Sequence, residues 1–172
     1  MSTRTFNSTI RPATEADVPA IHAMIRELAE FEKLLHEVEA SEQDLREALF
    51  GARPVAEALV ACVDAEPAGF ALFFTSYSTF TGKPGIYLED FFVRPRWRGL
   101  GLGKKLLRSV AAIAVNRGCA RYEWSVLNWN GRAIDFYESC GAVMHSDWQR
   151  MRVTGEALRN LADSASLVSL QP

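Results

Sequence analysis

Apolar positions along this chain follow two periods, and the switches between them mark the elements. Ile21, Met24, Ile25, Leu28 and Phe31 fall three and four residues apart, which predicts one buried face of a helix. Thr14-Glu15-Ala16-Asp17 precedes that stripe and has the form of a capping box, with Asp standing in for Glu. Ser41 caps a second, shorter helix carrying Leu45, Ala48 and Leu49. Leu102, Leu106, Val110, Ile113 and Ala114 form the stripe of a third helix, closed by Gly118. Ala133, Phe136, Tyr137 and Cys140 form that of a fourth, which Asn130 can cap and Gly141 stops.

Between the helices lie strand-like runs: Thr5 to Arg11, Ala58 to Val63, Ala68 to Tyr77, Ile86 to Val93 and Arg121 to Val126. Glu66-Pro67-Ala68-Gly69 and Thr81-Gly82-Lys83-Pro84-Gly85 read as turns. A last strand pair is expected between Ala142 and Val153, then a short helix from Gly155 to Ala162. This order predicts a mixed sheet with helices on its faces, an α/β class, or α+β by some conventions. At 172 residues the chain is expected to be a single domain, with residues 1–5 and 164–172 as loose termini.

Hydrophobic content of 48% and charged content of 23% are ordinary for a soluble globular protein. Cys62, Cys119 and Cys140 are scattered with no C-x-x-C, so they read as thiols in a reducing compartment. His22, His36 and His145 lack metal-ligand spacing, and no metal is expected. The N-terminal residues carry no apolar signal core and no run is long enough to span a bilayer, so the expectation is a cytoplasmic protein without membrane contact. Charge is uneven. From Glu15 to Glu47 there are ten acidic and three basic residues; from Arg94 to Arg108 there are six basic and no acidic ones. The acidic stretch is either a solvated helix face or a wall that attracts a cationic substrate. The basic stretch is too short, in a slightly acidic chain, to suggest nucleic acid, but it suits a polyphosphate ligand.

That basic stretch surrounds Arg98-Gly99-Leu100-Gly101-Leu102-Gly103-Lys104, which follows the Ile86–Val93 strand and opens the third helix. Such a turn aims backbone N–H groups and a helix N-terminus at an anion. It is not a P-loop: Lys105 follows Gly103-Lys104, and Arg98 stands where the first Gly belongs. It is not a dinucleotide fingerprint either, because Lys104 or Leu106 falls at the third Gly. What remains is Arg-x-x-Gly-x-Gly. Together with the element order, this turn resembles the acetyl-CoA loop of the GNAT superfamily of N-acetyltransferases. The blocks Ile25 to Lys33, Tyr87 to Val93 and Trp129-Asn130 leading to Phe136-Tyr137 resemble the spermidine/spermine group of that superfamily. The first block and Val126 to Asn130 are most similar to the branch associated with thialysine, a lysine-like amino acid.

The resemblance implies transfer of acetyl from acetyl-CoA to a primary amine by direct attack through a tetrahedral intermediate. It implies that the backbone of Phe91, Phe92 and Val93 pairs with the pantetheine arm. Amides from Gly99 to Lys104, with Gly101 and Gly103 allowing close approach, take the pyrophosphate, and Arg98 and Lys104 add charge. A strand N–H near Phe91 or Phe92 serves the oxyanion. Glu89 matches the base position, acting through water; a structural ion pair or an anchor for the substrate ammonium are the other readings of that residue. Glu89 and Asp90 should face opposite sides of the sheet unless a bulge intervenes. Tyr137 matches the general acid, although its place on an apolar stripe is also that of a core tyrosine. Asn130 could cap its helix, bond the cofactor, or do both.

For the acceptor, the resemblance places Phe31 and Glu32 along the substrate channel. The polyamine enzymes carry an acidic residue in the hairpin before the Glu89 strand, and Ser78-Thr79-Phe80 has none. That counts against tight spermine recognition and leaves diamines, lysine-like amino acids and other primary amines open. Two other classes remain: an acetyltransferase acting on protein lysines or N-termini, and a non-catalytic acyl-CoA sensor. The resemblance also implies a homodimer.

Overall fold

A computed structural model describes residues 6–163. The expected loose termini, 1–5 and 164–172, lie outside the described residues. The chain divides into two compact units between Gly131 and Arg132.

The first unit is built on one sheet of five strands in sequence order: β1 (Ser8–Pro12), β2 (Glu57–Val63), β3 (Glu66–Ser78), β4 (Lys83–Val93) and β5 (Arg121–Trp124). The first four are antiparallel neighbours, and β5 runs parallel to β4. Three helices pack on it: α1 (Val18–Phe31), α2 (Glu42–Phe50) and α3 (Leu102–Asn116). The expected mixed α/β fold is therefore present.

The strands divide their side chains between two faces, as a period of two requires. Ala58, Val60 and Cys62 of β2, with Phe70 and Leu72 of β3 and Phe92 of β4, form one buried cluster with Val18, Ile21 and Met24 of α1 and Leu45 and Leu49 of α2. The alternate residues Leu59, Ala61, Ala71 and Phe73 are also buried, as are Leu102, Leu106, Val110 and Ala114 of α3. Burying each such side chain contributes roughly 1.5–3 kcal/mol. Among the residues of the expected α1 stripe, Phe31 departs: it stays 45% exposed.

The expected capping box forms, and β1 adds to it. Asp17 accepts hydrogen bonds from the Thr14 amide and hydroxyl, both at 2.8 Å. Arg11 grips the same carboxylate with two bonds of 2.6 and 2.7 Å. These bonds, those from Arg11 foremost, hold Asp17 at a pKa of about 2 despite its burial. At the other end, α1 stops in a Schellman motif. Leu34 donates its amide to Ala29 O at 2.8 Å, and Lys33 takes φ +62° where glycine is usual.

Lys83, Pro84 and Gly85, the end of the expected Thr81–Gly85 turn, already belong to β4 and pair with β3, and three further expectations need correction. The β2–β3 turn is Asp64-Ala65, at φ +48° and +69°, with Val63 opposite Glu66. This is the two-residue hairpin whose twist matches the strands. Glu66 to Gly69, the expected turn, instead begin β3. Second, β5 ends at Trp124, two residues short of Val126. Third, no strand occurs between Ala142 and Val153 among the described residues. That stretch joins no ladder, and its apolar residues Val143, Met144, Trp148, Met151 and Val153 are exposed instead of forming one buried strand face.

The second unit holds α4 from its second residue on (Gly131–Ser139) and α5 (Gly155–Asp163), the latter matching the expected short helix. On α4, Ala133, Phe136 and Tyr137 are partly buried as their stripe predicts, while Cys140 is exposed past the helix end. The three cysteines are free thiols.

Candidate active site

The central feature of the first unit is the parting of β4 from β5. Their ladder runs from Gly85–Arg121 to Leu88–Trp124 and ends there, while β4 continues to Val93. At the point of parting, the Tyr87 hydroxyl and the Ser125 hydroxyl are bonded at 2.8 Å. Phe91, Phe92 and Val93 thus lie on the stretch of β4 beyond the β5 ladder. Phe92 and Val93 are buried through their side chains, so any ligand role belongs to their backbone. A strand that runs on past its neighbour's ladder has the form on which an extended, amide-bearing chain can bind as an added strand.

A β-bulge sits at the same place. Leu72 of β3 pairs with Asp90, and the next residue, Phe73, pairs with Leu88, so Glu89 is the extra residue. Paired residues share a face. Asp90 therefore shares the α1 face with Leu72 and Phe92, whereas Leu88 follows Phe73 to the α3 face. Without the bulge, Leu88 and Asp90 would lie on one side. Glu89 itself is exposed and Asp90 is partly buried. Burial, then the charges of Glu89 and Glu32, push the Asp90 carboxyl up to about 6. Burial also raises Glu32. Glu32, at the end of α1, is thus within electrostatic reach of Asp90. Glu32 and Glu89 each lie within electrostatic reach of Asp90, a residue that sequence reasoning had not selected. The only sequence signal for Asp90 was two adjacent carboxylates in an otherwise apolar strand.

Beyond Val93 the chain turns through a short 3-10 helix, Pro95–Trp97, into the glycine turn and α3. Gly99 and Gly101 take φ +83° and +75°, and nothing lies within 4 Å of where a Cβ would stand on either. These two glycines are required by the backbone, and the space over them is open for an anion to approach the amides and the helix N-terminus. Gly103 lies within the first turn of α3 and is not among the glycines of positive φ. Lys104 is exposed on the same turn.

Arg98 is placed differently from a simple phosphate ligand. Its Nε donates to Val93 O at 2.9 Å. Its guanidinium lies 5.7 Å from the Phe31 ring centroid and 5.6 Å from that of Phe92. Phe31 also meets Trp129, with centroids 5.8 Å apart. Arg94, one residue past β4, binds Glu27 of α1 through Nε and Nη2 at 2.8–3.1 Å and donates from Nη1 to Pro67 O at 3.0 Å. This clamp ties the end of β4 to α1. Asn130 directly precedes α4, and its amide donates to Leu127 O at 2.9 Å. Tyr137 belongs to the second unit, where its ring packs on Phe136 with centroids 5.4 Å apart. Among the described residues there is no cluster of His, Cys, Asp and Glu that could hold a metal, and no helix is long and apolar enough to cross a membrane.

A parted strand pair with a glycine turn at its end defines a class of protein, and the family comparison agrees. The chain belongs to the acetyltransferase (GNAT) family, whose model matches residues 21–142. It is an acyltransferase enzyme, and the family takes acetyl-CoA as cosubstrate.

Among relatives, thialysine N-epsilon-acetyltransferase of Mus musculus is 43% identical, with the match covering 89% of this chain and 96% of that protein. L-ornithine N5-acetyltransferase of Arabidopsis thaliana is 36% identical over 88% of this chain and 86% of its own. Among solved structures, an integron cassette protein from the mobile metagenome of V. cholerae superposes with a TM-score of 0.76 at 27% identity, covering 91% of this chain and 98% of that one.

Proposed function

We propose that this enzyme acetylates the terminal primary amine of a small basic molecule, with a lysine-like or ornithine-like amino acid as the best-fitting class and diamines next. The observation that carries this reading is the stretch of β4 that continues past the end of the β5 ladder, with a bulged Glu89 and a partly buried Asp90 in it. The names of the mouse and Arabidopsis relatives, which specify a side-chain nitrogen of thialysine and of ornithine, support the acceptor class.

Bound acetyl-CoA supplies an activated acetyl thioester. The backbone of Phe91, Phe92 and Val93 fits a role as the strand that aligns it, and the amides around Gly99 and Gly101 fit its pyrophosphate, with Lys104 adding charge. Gly103, Arg98 and Asn130 are the remaining candidates for contact with it. An N–H near Phe91 or Phe92 donates to the thioester oxygen as negative charge grows there. The acceptor arrives as an ammonium, near pKa ~10, and must lose a proton before it attacks. Glu89 and Asp90 hold the ammonium and take that proton, directly or through water. Asp90, titrating at about 6, is charged at neutral pH yet basic enough to accept it. Tyr137 donates the proton that the departing sulfur requires, and Phe31 and Glu32 line the acceptor side.

We further propose that the chain works as one catalytic domain and pairs as a homodimer, which the exposed Val143, Met144, Trp148 and Met151 support. The roles are tested with Tyr137→Phe. With a lysine-like amine, kcat is expected to fall about 100-fold while the KM for acetyl-CoA changes less than about threefold. An unchanged kcat would remove Tyr137 as the acid.

A further inference from the structure

The Phe31–Trp129 pair has no duty in the scheme above beyond lining, yet its exposure is costly. Their ring centroids lie 5.8 Å apart at a tilt of 51°, and Phe31 is 45% and Trp129 57% exposed. Folding alone would favour burying rings of this size. Phe31 adjoins Glu32 at the end of α1, and Glu32 reaches Asp90 electrostatically. Phe31 is in turn linked through the Arg98 guanidinium to Phe92, two residues past Asp90. Arg98 places positive charge against Phe31, which disfavours a second cation there. The ammonium of an acceptor is therefore directed to Asp90 and Glu89, and what is left for the aromatic pair is an uncharged body.

We infer that Trp129, with Phe31, is a stacking wall for the uncharged body of the acceptor, so that the enzyme favours primary amines carrying an aryl body over bare short alkylamines. This rests on the proposed acetyl transfer to small amines and deepens it: Trp129 becomes a specificity-determining residue.

The test compares phenethylamine with ethylamine, which differ by one ring, beside lysine and ornithine as reference acceptors, in the full-length enzyme and its W129A and W129F variants. The expected result is a kcat/KM ratio of phenethylamine to ethylamine of about tenfold or more, from one ring stacking on another. In W129A this ratio drops to within about twofold of unity, and in W129F it is largely kept, with the KM for acetyl-CoA unchanged in both. A ratio that W129A leaves intact overturns the inference, as does a rise confined to the KM for acetyl-CoA, which would assign the rings to the cosubstrate. Turnover of the reference amines without preference for phenethylamine also overturns it while leaving the proposed function standing. Failure to acetylate any amine overturns that function itself. A thermal unfolding midpoint for W129F equal to that of the wild type shows that the comparison is not one of folding.

Discussion

Asp90 and Asp17 are both acids shielded from water, and their environments push them in opposite directions. Asp17 is held by Arg11 and by the Thr14 amide and hydroxyl, so its charge is favoured. Asp90 faces two other acids, so its charge is opposed, and its carboxyl titrates at about 6. The consequence for stability follows from proton linkage. Because the folded-state value of Asp90 lies above its unfolded value near 3.8, its favourable contribution is complete below about pH 4 and is lost as pH rises through about 6. Asn mimics the neutral acid. Asp90→Asn should therefore stabilise the protein at pH 8 by on the order of 2 kcal/mol, a few degrees of Tm, and by about half as much at pH 5, midway through the titration window. Calorimetry at the two pH values checks this; an equal Tm difference at both would show that Asp90 is not held against its charge. At this scale the sequence was a partial guide. Glu32 and Glu89 could be named because the family resemblance supplies their positions, and Glu89 is also a conspicuous charge in an apolar strand. Asp90 could not, because which of two adjacent carboxylates turns inward depends on a bulge that leaves no composition signal.

The elements follow the same division. Helical stripes and strand runs predicted the helices of the first unit and its five strands, because each buries a regular face. The departures are local. Glycine and proline drew the β2–β3 turn toward Glu66 to Gly69, whereas Asp64 and Ala65 adopt the left-handed conformation that the hairpin's twist demands. The parting of β4 from β5 was not legible either, since it depends on where a parallel ladder stops. The glycine turn was legible, and the structure refines it: Gly99 and Gly101 need their positive φ, while Gly103 does not. Gly101→Ala should therefore raise the KM for acetyl-CoA about tenfold or more and leave that for the amine within about twofold. It should also lower stability by roughly 1–2 kcal/mol through backbone strain. Steady-state kinetics with each substrate varied in turn measures this; an effect on the amine instead would place the turn on the acceptor side.

For the whole molecule, an acidic N-terminal stretch and a basic glycine turn flank one sheet, so a cationic acceptor and an anionic cosubstrate would each find an opposite field. Family membership establishes an acyltransferase; the acceptor is where the account commits itself. The most direct measurement is release of free CoA thiol from acetyl-CoA by the purified full-length enzyme, given thialysine, lysine, ornithine, putrescine, spermidine, spermine and a lysine-containing peptide in parallel. The predicted result is rapid release with the lysine-like and ornithine-like amino acids, slower release with putrescine, and the least with spermine and the peptide. Tight binding of acetyl-CoA with no thiol release from any of the small amines would contradict it.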